Sequence, residues 1–92
     1  MADIDTAARP AIGAGFRLQW EPAQEAHVLL YPEGMVRLSR SAAAIMTRCD
    51  GERSIAAIVA DIEREYSTTG LSADVHAFIR LALERSWLEL RP

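Results

Sequence analysis

The chain has no lysine: all ten of its basic residues are arginine. That removes Schiff-base chemistry and the phosphate-gripping lysine of nucleotide loops. It has one cysteine, Cys49, so there is no internal disulfide and no companion thiol for a zinc or cluster site. His27 and His76 fall in different segments, and no His-x-His, Glu-x-x-His or Cys-x-x-Cys spacing occurs. Gly13-Ala-Gly15 precedes a strand rather than joining a strand to a helix, so it is not a phosphate loop. Glu63 and Glu65 stand two apart on a helix, where side chains do not face each other. No apolar run approaches the roughly 18–20 residues that span a bilayer. The opening Met-Ala-Asp-Ile-Asp is acidic, unlike a secretory signal, so the expected location is the cytoplasm. Net charge is −3 with the arginines scattered, whereas nucleic-acid binders cluster theirs on one face. Catalysis is left without its usual groups, and no cofactor or metal site is expected.

What is present is one ordinary globular domain. The 92 residues are half apolar and a quarter charged, enough for a single modest core. Residues 1–15 carry Ala, Gly, Pro and Asp without a period and read as a flexible N-terminal arm; residues 16–92 then form one single domain. From Phe16 the pattern alternates, with Phe16, Leu18 and Trp20 opposite Arg17, Gln19 and Glu21, which predicts a half-buried strand. His27 to Leu38 predicts a hairpin, with Pro32-Glu33-Gly34 at its turn. Its last strand, Met35–Leu38, completes a three-stranded antiparallel β-meander.

After Leu38 the period lengthens. Ser39 or Ser41 can cap a helix whose inward face is Ala42, Ile45, Met46 and Cys49, ending at Asp50-Gly51. Cys49 reads as a buried small apolar residue. Ser54 caps a second helix with the stripe Ile55, Ile58, Val59, Ile62 and Tyr66. Ser72 caps a third, running to about Ser86. The expected fold class is α+β, a winged-helix-like arrangement of an N-terminal meander followed by a three-helix bundle. Trp20 and Trp87 read as core anchors rather than platforms for bases.

Two features suggest a binding role. A small sheet leaves edges whose free N–H and C=O groups can accept an extended peptide as another strand. The third helix is also apolar over Val75, Phe78, Ile79, Ala82 and Leu83, with Leu81 widening the face beyond the roughly 100° arc a core needs. The excess calls for a second cover: the tail Trp87–Leu90 folding back, a bound peptide, or a second copy of the chain in a homodimer. The alternative function is a small winged-helix nucleic-acid-binding or regulatory module. It is disfavoured because the second helix sets Asp61, Glu63 and Glu65 against Arg64, and the third sets Asp74 and Glu84 against Arg80 and Arg85.

Phe16-Arg-Leu-Gln-Trp20-Glu-Pro, the His27–Leu38 hairpin, Cys49-Asp-Gly51 and the terminal Trp87-Leu88-Glu89, in that order and spacing, closely resemble the PqqD family over about Phe16 to Leu90. The family's usual pattern has Leu-Asn before the first helix and Gly before the terminal Trp-Leu; here those positions hold Leu38-Ser39 and Ser86-Trp87. The resemblance implies a non-catalytic peptide chaperone of pyrroloquinoline quinone biosynthesis. It would bind the precursor peptide PqqA and present it to the radical S-adenosylmethionine enzyme PqqE, which would carry the iron–sulfur chemistry. It also implies addition of the peptide as a strand to the sheet edge, in a groove walled by the third helix. The expected contacts are Val36, Arg37 and Leu38 on the strand, with His76, Ile79, Arg80 and Leu83 on the helix. An Ile79→Asp change is expected to abolish binding and leave the fold intact.

Overall fold

The computed structural model describes residues 4–91. Along the chain run β1 (Arg9–Ile12), β2 (Arg17–Glu21), β3 (Ala26–Tyr31), β4 (Gly34–Arg37), α1 (Arg40–Met46), α2 (Ile55–Glu65), α3 (Ser72–Glu84) and β5 (Leu88–Arg91). The class is α+β, with three helices following the antiparallel meander β2-β3-β4; β1 and β5 form a separate two-stranded ribbon. In the meander, Leu18 pairs with Leu29 and Leu29 with Val36. Strand alternation puts these three on one face, and all three pack into or against the buried cluster. On the other face Val28 lies between Gln19 and Arg37. It is buried too, with Gln24 reaching Met35 Sδ at 3.9 Å across that face.

The core joins Leu29 and Leu38 to Ala42, Ile45 and Met46 of α1, Ile55, Ile58, Val59 and Ile62 of α2, Val75, Ile79 and Ala82 of α3, and Leu88 of β5. Each large aliphatic side chain buried this way contributes about 1.5–3 kcal/mol. Ser39 and Ser54 cap α1 and α2, their hydroxyls accepting from the backbone N–H of Ala42 and Ala57.

Several sequence expectations change. The segment read as a flexible arm is built into the fold from Ile4 on; its first three residues lie outside the described residues. β1 pairs with β5 from Arg9↔Arg91 to Ile12↔Leu88, and Ala11 bridges Asp50. The carbonyls of Ala8 and Thr6 accept the N–H groups of Ile55 and Ala56, which satisfies donors that a helix start leaves orphaned. A domain boundary at residue 16 therefore does not divide the structure. A four-residue strand whose partner lies nearly eighty positions away has no local signal. Gly13 belongs to the same junction: its N–H donates to Trp87 C=O at 2.8 Å, and a Cβ there would meet Ser86 O at 2.1 Å.

The tail is the cover that the broad face of α3 called for. Leu88 is buried, and Trp87 N–H donates to Ala82 C=O at 2.9 Å. Leu81 stays 37% exposed. Trp20 is not a core anchor: it is 51% exposed at the end of β2. Tyr66 leaves the α2 stripe because the helix ends there, and it lies in solvent. α1 stops at Met46, earlier than expected, with Cys49 still buried in the turn that follows. The residue before α3 is Leu71, so Ser72 is its first residue and not its side-chain cap.

Candidate functional site

The order β2-β3-β4 leaves β2 and β4 as the edges of the meander. Leu38 N–H donates to His27 C=O at 3.0 Å, directly across the β3–β4 register. Opposed residues in an antiparallel pair alternate between hydrogen-bonded and non-hydrogen-bonded. Leu29↔Val36 and Tyr31↔Gly34 are therefore bonded, and Val28↔Arg37 and Leu30↔Met35 are not. Met35 and Arg37 thus turn their N–H and C=O groups away from β3, along the open edge. The same alternation on β2 turns Leu18 and Trp20 outward. A strand added to β4 meets two donors and two acceptors in sheet geometry.

The sequence-predicted contacts separate into two groups. Val36 is half-buried, its side chain on the helix-facing side of the sheet and packed on the core. Arg37 is exposed on the opposite face. Leu38 is buried in the core cluster, so it is packing and not contact surface. Ile79 is corrected in the same way: at 0% exposure it lies between Val75 and Ala82 on the buried stripe of α3. The residues beside that stripe are His76, Arg80 and Leu83, spaced four and three apart, all half-buried. They form one continuous flank. Leu83 and Val36 rest on the same buried cluster, which is the shared ground of the helix and strand candidates. His76 Nδ1 lies 2.8 Å from Ser72 C=O. A carbonyl only accepts, so Nδ1 donates its proton in this contact.

Two open cavities lie nearby, and none of His76, Ile79, Arg80 or Leu83 lines either. The smaller, about 540 Å³, sits where β4 ends and α1 begins, lined among others by Trp20, Glu25, His27, Arg37, Leu38 and Arg40. Trp20 stands edge-on to His27, ring centres 5.2 Å apart. Sequence reasoning missed Trp20 and Arg40 here; a bulky aromatic ending a polar edge strand was the available signal. The larger, about 1040 Å³, opens between α1, α2 and the start of α3.

Part of the charge in the larger cavity is spent on structure. Arg48 ties α1 to α2 through Asp61 and Glu65, each at 2.5 Å, and Arg64 adds a second contact to Asp61 at 2.6 Å. Burial lowers the affinity of the Arg48 guanidinium for its proton, but the hydrogen bonds to Asp61 and Glu65 outweigh it and hold it above its ordinary value. The Arg48 hydrogen bond in turn holds the Asp61 carboxyl below its usual range. Burial pushes the Cys49 thiol up to about 12, with nearby Asp50 adding to the shift. A thiol so seldom ionised is a poor nucleophile. Among the described residues no group of His, Cys, Asp and Glu is placed to hold a metal, and no helix is long and apolar enough to cross a membrane.

Comparison with known proteins gives a consistent result. A 51% identical relative from Stutzerimonas stutzeri (strain A1501), matched over 99% of this chain and 100% of its own length, is named PqqA binding protein. So is a 60% identical relative from Azotobacter vinelandii, matched over 88% of this chain and 89% of its own. The solution structure of the PqqD truncation of Methylobacterium extorquens PqqCD, described as a functional and stand-alone recognition element for ribosomally synthesized, post-translationally modified peptides, superposes with a TM-score of 0.69. It is 28% identical and the match covers 96% of this chain and 95% of that one. These relatives are named for binding and recognition, not catalysis. The family model of coenzyme PQQ synthesis protein D (PqqD) matches residues 26–88, and the chain belongs to that family.

Proposed function

We propose that this protein binds the precursor peptide PqqA by strand addition along β4 and presents it to the radical S-adenosylmethionine enzyme PqqE in the cytoplasm. The observation that carries the binding reading is the open edge at Met35 and Arg37 in a chain whose relatives are named for PqqA binding. Val36 and the flank His76, Arg80 and Leu83 are the side chains that would select among peptides, while the edge supplies backbone bonds indifferent to sequence.

Magnitudes support a shared role for the two. Four edge hydrogen bonds at about 1 kcal/mol each come to roughly 4 kcal/mol. Ordering a disordered peptide costs about 2–5 kcal/mol. Backbone pairing therefore roughly cancels that cost, and an affinity near 1 μM, about 8 kcal/mol, has to come from side-chain burial. The reading is tested by an NMR titration of the full chain with synthetic PqqA. The amides of Met35 and Arg37 are expected to shift and gain exchange protection, with Leu18 on the opposite edge unchanged. Changes confined to β2, or none at all, would reject strand addition at β4.

A further inference from the structure

We infer that the cavity of about 540 Å³ at the Arg37 end of β4 is a subsite for one carboxylate of the bound peptide. The inference rests on the strand-addition reading and adds a specificity element to it. Arg37 is the last residue of β4, and Leu38, Ser39 and Arg40 continue along the cavity wall. Strands advance about 3.3 Å per residue. A peptide paired with Met35 and Arg37 therefore reaches the cavity within a residue or two of its last edge bond.

The lining specifies the chemistry. Most arginines whose contacts are resolved are occupied: Arg48 and Arg64 with carboxylates, Arg17 with Gln19, Arg53 beside Asp50, Arg85 over the ring of Trp87. The guanidinium groups of Arg37 and Arg40 have no hydrogen bond or ion pair among the described residues, and both residues line this cavity. Guanidinium groups pair carboxylates with charge-assisted, often two-pronged hydrogen bonds. Glu25 is the one carboxylate on the same wall. Two arginines against one glutamate leave the lining net positive, which suits a peptide carboxylate. Trp20, half exposed and set edge-on by His27, supplies an apolar wall for the methylenes of an acidic side chain.

The experiment is calorimetry on the full chain with synthetic PqqA, with PqqA in which each Asp or Glu is changed singly to Asn or Gln, and with the C-terminal amide. Arg37→Gln and Arg40→Gln keep both backbone edges and the bulk of the side chain. Each is expected to weaken PqqA about five- to tenfold. One neutralised peptide should lose the same factor on the wild-type protein and lose nothing further on the arginine variants, which identifies the carboxylate as a side chain or the C-terminus. Arg53→Gln, outside this cavity, controls for net charge and should bind as wild type. Wild-type affinity in both arginine variants overturns the subsite and leaves strand addition standing. Losses that multiply for every carboxylate alike also overturn it, since they mark general electrostatics. Failure of the wild-type protein to bind PqqA overturns both.

Discussion

Proline placed at two adjacent positions of β4 separates the edge from the ladder. Met35 directs its N–H outward, whereas Val36 directs its N–H to Leu29. Met35→Pro deletes an edge donor and no ladder bond, and edge strands tolerate proline where the missing N–H faces solvent. Gly34, which precedes it, lacks the Cβ that a proline ring would crowd. Stability should stay within about 1 kcal/mol of wild type. Peptide affinity should fall by the net worth of one hydrogen bond, about 0.5–1.5 kcal/mol, or roughly two- to twelvefold in Kd. Val36→Pro loses a ladder bond and strands the buried carbonyl of Leu29, a cost of about 2–4 kcal/mol. For a domain of this length that lowers Tm by at least about 8 °C. The assay pairs thermal unfolding by circular dichroism with calorimetry against PqqA. A Met35→Pro protein that melts and binds as wild type would refute β4 as the edge in use and turn attention to Leu18 and Trp20.

Other outcomes follow from the same geometry. Ile79→Asp should unfold the protein, because a carboxylate would be buried without a partner where Ile79 is fully enclosed; Leu83→Asp, on the half-buried flank, should fold and bind PqqA at least about tenfold more weakly, read by circular dichroism and calorimetry. Ser86 sits at φ +63°, a left-handed conformation that glycine adopts freely. Ser86→Gly should therefore stabilise the chain by about 0.5–1 kcal/mol in urea unfolding, and a destabilised variant would show that the turn draws on the serine side chain. The folded-state value of the Asp61 carboxyl is depressed, so its contribution is fully present above about pH 4, the ordinary carboxylate value, and is lost as pH falls through the lower folded value. Asp61→Asn should flatten the acid limb of the Tm–pH curve; an unchanged limb would mean the link to Arg48 adds nothing to stability. Cys49, with its thiol raised to about 12, should resist iodoacetamide at pH 8 until denaturant is added, and rapid labelling of the native protein would contradict its burial.

The meander, the three helices and two of the three expected caps were legible in the sequence because each is written in contacts close along the chain. Alternation marks β2 to β4, and serines three positions ahead of a helical N–H mark the starts of α1 and α2. The Gly expected before the terminal Trp-Leu names a left-handed turn that Ser86 in fact adopts. The β1–β5 ribbon was not legible, since each strand is four residues long and their pairing spans the whole chain. Nor was the split within the candidate site. Ile79 and Leu83 look equivalent on a helical wheel, yet the buried line through Val75, Ile79 and Ala82 is chosen by what packs on it. Trp20 shows the reverse case, an aromatic that hydropathy sends to the core and the end of an edge strand leaves in solvent.

By itself the sequence determined the class of structure, the lack of lysine and of a second cysteine, and the existence of a β4 edge. Those depend on residue type and local period. Only the tertiary structure decided which side chains beside that edge are free to touch a ligand. It anchored the arm onto α2, spent the tail on covering α3, and left the Arg37 and Arg40 guanidinium groups without partners among the described residues. Burial and charge pairing are properties of neighbours in space, and the chain's neighbours in space are set by long-range packing that no local pattern encodes.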